Sequence, residues 1–159
     1  MDPAPNPAFM RRAIALATEN ARTAAGGPFA ALIVREGAVI AEGVNRVTQE
    51  NDPTAHAEVR AIRAACHALN HFSLRGCEVY TSCEPCPMCL AAIYWARIDR
   101  IWYANTSADA ARIDFDDAFL YRELQLPPEQ RAIPSAMLLH DEAWESFQAW
   151  LDSGNKIPF

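Results

Sequence analysis

Two short stretches hold the residues whose types and spacing could do chemistry. His56-Ala57-Glu58 sets an imidazole two positions before a carboxylic acid, and Pro85-Cys86-Pro87-Met88-Cys89 sets two thiols three positions apart. Imidazole and thiolate are ligands that zinc prefers. Cys86 and Cys89 stand one helical turn apart, so both sulfurs can meet one ion. A helix N-terminus at that place would favour thiolate over thiol. Two thiolates and one neutral imidazole from His56, Cys86 and Cys89 would balance the charge of Zn2+ and leave a fourth position open for water. Zinc can lower the pKa of that water from ~15.7 to ~7. Four thiolates would make the site doubly negative and a poorer Lewis acid, as suits a structural zinc. Glu58, close to a ligand and not itself needed as one, is placed to carry the protons of a hydrolysis.

That assignment demands a particular local geometry. Within a helix, positions two apart point roughly 200° away from each other. His56 and Glu58 can share a site only at a helix entry, where the backbone is irregular. Asp52-Pro53-Thr54 supplies such an entry, with Asp52 or Thr54 as cap candidates. Apolar periodicity places helices over 9–25, 55–69, 87–96, 116–124 and 142–151. Short apolar runs place strands over 29–34, 38–42, 79–81, 100–104 and 136–140, with a hairpin turn at Glu36-Gly37. Residues 45–53 read as a polar loop. Strands alternating with helices imply an α/β layered domain with both sheet faces covered. The hairpin makes the central sheet mixed rather than all parallel.

The chain has 159 residues, about half of them apolar, and a formal net charge of -6. This is the size of one domain, 1–159, with a full core. The acidic balance favours a small substrate over a nucleic acid, which would call for a basic face. Neither a secretory leader nor a membrane span is visible, so a cytoplasmic setting is expected. Three of the five cysteines fall within 83–89, which points to metal or catalysis rather than disulfides. Cys83 would end a strand and point away from the metal, while Cys66 and Cys77 read as small buried hydrophobes. His67, His71 and His140 lack partner spacing and read as surface or core residues. Asp114, Asp116 and Asp117 read as a solvated helix start, and Trp144 and Trp150 as core.

The joint pattern H-x-E with P-C-x-x-C is the mark of zinc deaminases, and on it the chain resembles the cytidine and deoxycytidylate deaminase superfamily. More narrowly it is similar to the short bacterial guanine deaminases of that superfamily. The narrower likeness rests on Gly26-Gly27-Pro28-Phe29, on 51–58, on 80–89, on 92–97, on Phe115-Asp116-Asp117 and on Phe147-Gln148-Ala149-Trp150. The resemblance implies a three-layer α/β/α sandwich of the cytidine deaminase type with one zinc per subunit. It also implies a homodimer whose C-terminal segment crosses to the partner. Glu58 would take a proton from water, pass it to a ring nitrogen and protonate the departing ammonia. Asn45 and the amide of Ala57 would contact the base, Phe29 and Trp95 would wall its pocket, and Asp117 would lie near the leaving amino group or assist proton transfer. The expected reaction is guanine to xanthine and ammonia. Two departures stand out: Ala30 follows Gly27-Pro28-Phe29 where the family has glycine, and Phe159 stands where a base-contacting tyrosine is expected. The second change keeps a stacking surface and loses a hydroxyl, so a pterin, an amino-triazine or another amino-purine becomes an alternative substrate.

The sequence leaves three rival readings. A tRNA adenosine deaminase shares the 51–58 segment, but 144–159 carries Lys156 as its only cation. Deamination of cytosine or guanosine would use the same zinc chemistry. A non-enzymatic interaction module held together by zinc would need a fourth protein ligand and no Glu58.

Overall fold

The computed structural model describes residues 4–158. Helix α1 (Pro7–Arg22) begins at Asn6, whose side chain accepts from the Ala8 amide, with Pro7 in the first helical position. Both choices suit a helix start: the cap satisfies an otherwise unpaired amide, and proline has none to lose. Strands β1 (Ala30–Arg35) and β2 (Ala38–Val44) pair antiparallel. They are joined by Glu36 and Gly37 at φ 52° and 75°, the pair of left-handed residues a type I′ turn requires. A one-turn helix, α2 (Val47–Glu50), follows within the stretch expected to be loop. Then come α3 (Ala57–Leu69), β3 (Cys77–Cys83), α4 (Pro87–Trp95) and β4 (Arg100–Asn105). Helix α5 (Ser107–Ala111) starts at a reciprocal capping box between Thr106 and Asp109. The chain continues through α6 (Ala118–Gln125), a 3-10 turn at Pro128–Gln130 and α7 (His140–Asp152).

The four strands run in the order β2-β1-β3-β4. β1 pairs antiparallel with both neighbours and β3 pairs parallel with β4, so the sheet is mixed, as expected. β1 is buried on both faces, and its side chains alternate between two clusters. Ala31 and Ile33 pack with Ala57, Ala61 and Ala65 of α3 and Ile93 of α4. Leu32 and Val34 pack with Ala13 of α1 and with Tyr80, supported by Phe9, Met10 and Trp102. The result is three layers: α1, the sheet, and α3 with α4. Burying a side chain such as Leu32 or Ile33 contributes roughly 1.5–3 kcal/mol.

The small face of α3 has a positional consequence. Alanines at 57, 61 and 65 let the helix approach the sheet, and Gly43 on β2 meets it at close range. A Cβ at Gly43 would stand 2.2 Å from the Ala57 carbonyl oxygen and 2.6 Å from the Ala61 nitrogen. The contact sits beside the start of α3, where His56 and Glu58 are.

Met1–Ala118 and Phe119–Phe159 form two compact units. In the second, two expectations are corrected. Residues 136–140 form no strand: Leu139 takes a left-handed φ of 53° and α7 begins at His140. A short apolar run carries no period that separates a strand from the approach to a helix. Trp144 and Trp150 are 53% and 46% exposed rather than core. Trp144 packs edge-on against Phe147 at 5.5 Å, because a unit this small has little interior in which to bury rings. Among the described residues no helix is long and apolar enough to cross a membrane.

The close approach at Gly43 is directly testable. Gly43→Ala is expected to cost about 2–3 kcal/mol through overpacking against helix backbone. That lowers Tm by roughly 5–10 °C in a thermal melt, and an unchanged Tm would contradict the contact.

Candidate active site

His56 is the N-cap of α3, at φ -70° and ψ 155°, and Glu58 lies in the first turn. Cys86 is the N-cap of α4, at φ -64° and ψ 168°, followed by Pro87, and Cys89 completes the first turn. N-cap side chains ordinarily accept a hydrogen bond from the helix they open. Neither His56 nor Cys86 does so, and both turn toward a common centre. His56 Nδ1 lies 3.6 Å from Cys86 Sγ and 3.5 Å from Cys89 Sγ. The three ligand atoms all fall within 4.8 Å of one another.

The cap candidates named from sequence do not cap α3. Asp52 Oδ1 accepts instead from the Thr54 amide and hydroxyl, both at 2.7 Å. That closes an Asx turn which leads the chain into the helix. Its carboxylate is held below the usual range chiefly by these Thr54 bonds.

Protons in the cluster are shared. The Cys89 thiol, as hydrogen-bond donor, is the largest influence holding Cys86 down at about 4, aided by His56 and opposed by burial. Cys89 is pushed up, first by that same bond and then by burial. His56 is raised, chiefly by its bond with Cys86. One thiol therefore ionises readily beside an imidazole at two helix N-termini, so the cluster is already disposed toward a cation. Two soft sulfurs and a nitrogen with this spacing fit zinc, and binding would displace the remaining protons. Among the described residues the group comprises these three, which leaves room for a fourth, non-protein ligand.

Glu58 is 6% exposed and accepts from the Thr81 hydroxyl at 2.9 Å. Burial raises its pKa above the ordinary carboxylate range, while its own backbone amide and Thr81 act the other way. Cys83 is buried, donates to the Thr106 carbonyl at 3.5 Å, and is pushed by burial up to about 11. It stands outside the ligand group, as expected. All five cysteines are free, and His67, His71 and His140 are exposed.

Of the residues expected to contact the base, Phe29 and Asn45 lie on connecting segments, while Ala57 and Trp95 lie on helices α3 and α4. Asn45 is buried, and its Oδ1 accepts from the amides of Gly27 and Val47 at 3.3 and 3.4 Å. Those bonds direct its Nδ2 donor elsewhere. Phe29 leads into β1 and takes Phe115 edge-on at 4.9 Å. Ala57 is the first residue of α3, where a backbone amide has no intrahelical acceptor. Asp117 is raised first by its partial burial and then by the nearness of Cys86, so it lies electrically within reach of the ligands. Trp95 ends α4 and is 63% exposed. Phe159 lies outside the described residues. A cavity of about 430 Å³ opens between Phe29 and Cys83, with Asn105, Arg112 and Ile113 also lining it. The sequence reading missed Thr81, Phe115 as a partner of Phe29, and Asn20, which donates to the backbone of Asn45 at 3.0 Å. A threonine in a strand and an asparagine in a helix carry no spacing signal that separates them from structural residues.

Residues 4–105 match the family described as the cytidine and deoxycytidylate deaminase zinc-binding region. Guanine deaminase of Bacillus subtilis (strain 168) is 53% identical over 148 residues, covering 93% of this chain and 95% of that protein. An X-ray structure of guanine deaminase from B. subtilis matches with a TM-score of 0.95 at 51% identity, over 98% of this chain and 99% of that one. A structure of guanine deaminase from Nitrosomonas europaea matches with a TM-score of 0.67 at 34% identity, over 72% of this chain and 66% of that one. A tRNA-specific adenosine deaminase of Agrobacterium fabrum is 50% identical over 76 residues, which is 48% of this chain and 50% of that protein. With the donor set, the buried acid and these likenesses in agreement, the chain belongs to the cytidine and deoxycytidylate deaminase family and is a zinc-binding hydrolytic deaminase.

Proposed function

We propose that this deaminase converts guanine and water to xanthine and ammonia. The observation that carries the reading is the reach of the likeness to the B. subtilis enzyme, 93% of the chain, against 48% for the tRNA deaminase. The acidic net charge of -6 also favours a neutral base over a polyanion.

His56, Cys86 and Cys89 would hold the zinc, which would supply Lewis acidity and depress the pKa of water. Glu58 accepts the proton that attacking water gives up, with the Thr81 hydroxyl holding one of its carboxylate oxygens. It passes that proton to the ring nitrogen beside the amino-bearing carbon. As the carbon–nitrogen bond breaks, the same carboxylate delivers a second proton from the added oxygen to the departing amine, and ammonia leaves. Each transfer needs a carboxylate that can hold a proton without strong bias, and the burial of Glu58 favours this. Asn45 offers its Nδ2 donor to an acceptor of the base, the Ala57 amide offers a second donor, and Phe29, steadied by Phe115, stacks on the ring. Trp95 completes the wall, and Asp117 receives the leaving amino group. Polar groups fixed in this way reject a base that leaves one of them unpaired.

Two wider features accompany the reading. Ile133, Met137, Leu138, Trp144, Phe147 and Trp150 are exposed in the single chain, more apolar surface than a lone subunit normally presents. A homodimer covers it, with the C-terminal segment of the 1–159 domain exchanged between subunits. Five free cysteines, two of them ligands, suit the reducing cytoplasm.

Ammonia release by the zinc-loaded protein, with guanine, guanosine, adenine, cytosine and a tRNA compared side by side, tests the substrate. Guanine is expected to turn over at least ~10²-fold faster in kcat/KM than the others. Conversion of another substrate with guanine untouched would overturn the assignment and keep the zinc chemistry. Light scattering should return twice the 17.6 kDa chain mass; a single-chain mass at micromolar concentration would refute the dimer.

A further inference from the structure

Segment 23–29 and segment 45–49, which runs into α2, carry the proposed base contacts Phe29 and Asn45 and are tied together by a side chain of neither. Asn20, near the end of α1, is 4% exposed. Its Nδ2 donates to the Gly27 carbonyl at 2.8 Å and to the Asn45 carbonyl at 3.0 Å. Two carbonyl acceptors fix which end of the amide is nitrogen. The other end, Oδ1, is then buried without a hydrogen-bond partner among the described residues. Folds normally avoid an orphaned acceptor, and an apolar residue of similar size would remove it. Keeping an asparagine here makes sense if the two bonds it donates do something beyond filling space.

What they join is specific. The Asn45 amide N–H donates to the Phe29 carbonyl at 3.0 Å, and Asn45 Oδ1 accepts from the Gly27 amide at 3.3 Å. Gly26, at φ 149°, lies so close that a Cβ would stand 2.0 Å from the Asn45 carbonyl oxygen and 2.8 Å from Asn20 Nδ2. Other links between these segments exist, from Arg46 to the Ala25 carbonyl and from Gln49 to the Ala24 carbonyl. They touch neither Gly27 nor the Asn45 backbone. Asn20 alone among the described side chains donates to both sides of the junction that aims the Asn45 amide and carries Phe29.

We infer that Asn20 is a positioning residue for base recognition: by bonding the carbonyls of Gly27 and Asn45 at once, it sets the direction of the Asn45 side-chain amide relative to Phe29. The inference rests on the base-reading role given to Asn45 above. It concerns the binding of the base rather than the proton transfers at Glu58, so its effect falls on KM more than on kcat.

The experiment is a double-mutant cycle on guanine turnover with wild type, Asn20→Ala, Asn45→Ala and the double variant, each checked for one zinc per chain and a native circular dichroism spectrum. Asn20→Leu, which fills the same space, serves as a second probe of the site. Asn20→Ala and Asn20→Leu are expected to raise KM about ten-fold, with kcat within about three-fold. In the Asn45→Ala background the same change should raise KM little further, because the two act as one unit. Folded, zinc-loaded Asn20 variants with the wild-type KM would overturn the inference. So would effects that multiply in full in the double variant, or the failure of both Asn20 variants to fold. If Asn45→Ala itself leaves KM unchanged, the base-reading role of Asn45 fails and this inference fails with it. A raised KM in Asn45→Ala beside neutral Asn20 variants sinks only the inference.

Discussion

On a helix, an imidazole and a carboxylic acid two residues apart can serve one small site only at its start, and the architecture around the metal ligands answers to that constraint. His56 occupies the extended N-cap of α3, and Glu58 lies in the first turn. Cys86 repeats the arrangement at α4, with Cys89 one turn further on. Two helix N-termini thus meet at one point, each having surrendered the side-chain cap bond that would normally steady it. An absent cap costs about 1 kcal/mol, which metal binding offsets because it converts these same groups into ligands. The alanine face of α3, and the absence of a side chain at Gly43, allow the sheet to hold that meeting point in place.

Electrostatics and packing act on the same atoms. Positive helix ends favour thiolate, and the Cys86–Cys89 pair already gives up a first proton easily. Glu58 is buried and held by Thr81. Withdrawal from water brings a carboxylate toward the protonation balance a shuttle needs. Neighbours on β3 divide the labour: Thr81 orients the acid, while Ser82 accepts no catalytic duty and binds the Ala30 amide at 3.1 Å. Cys83 next to them keeps its proton.

Legibility in the sequence followed from how local each feature is. The hairpin at Glu36-Gly37, the helix from 87 with Pro87 at its start, and the three ligands depend on neighbours within a few residues, and all were visible. Layering and the mixed sheet followed from the order of elements. The caps of α3 were misjudged because the Asx turn at Asp52 and a true cap use the same residue types, and only the path of the chain decides between them. The apolar run 136–139 was ambiguous because it lacks a period, and Trp144 and Trp150 suggested a core that their small unit does not possess. Thr81 and Asn20 were invisible for a different reason. Their roles arise from partners 23 and 25 residues away in sequence, a distance at which composition and spacing carry no signal. Asn45, Ala57, Phe29, Trp95 and Asp117 could be singled out only through family likeness, because no isolated asparagine or phenylalanine announces a ligand.

The mechanism requires that Glu58 do chemistry at the metal rather than support the fold around it. Glu58→Gln keeps the shape, the burial and one acceptor for Thr81, and removes the capacity to accept and return a proton. The decisive measurement is kcat for guanine in this variant, alongside its zinc content and thermal midpoint. A loss of ~10³-fold or more in kcat is expected, with one zinc per chain and a Tm near that of the wild type. Turnover at the wild-type rate by a folded, zinc-loaded Glu58→Gln protein would contradict it.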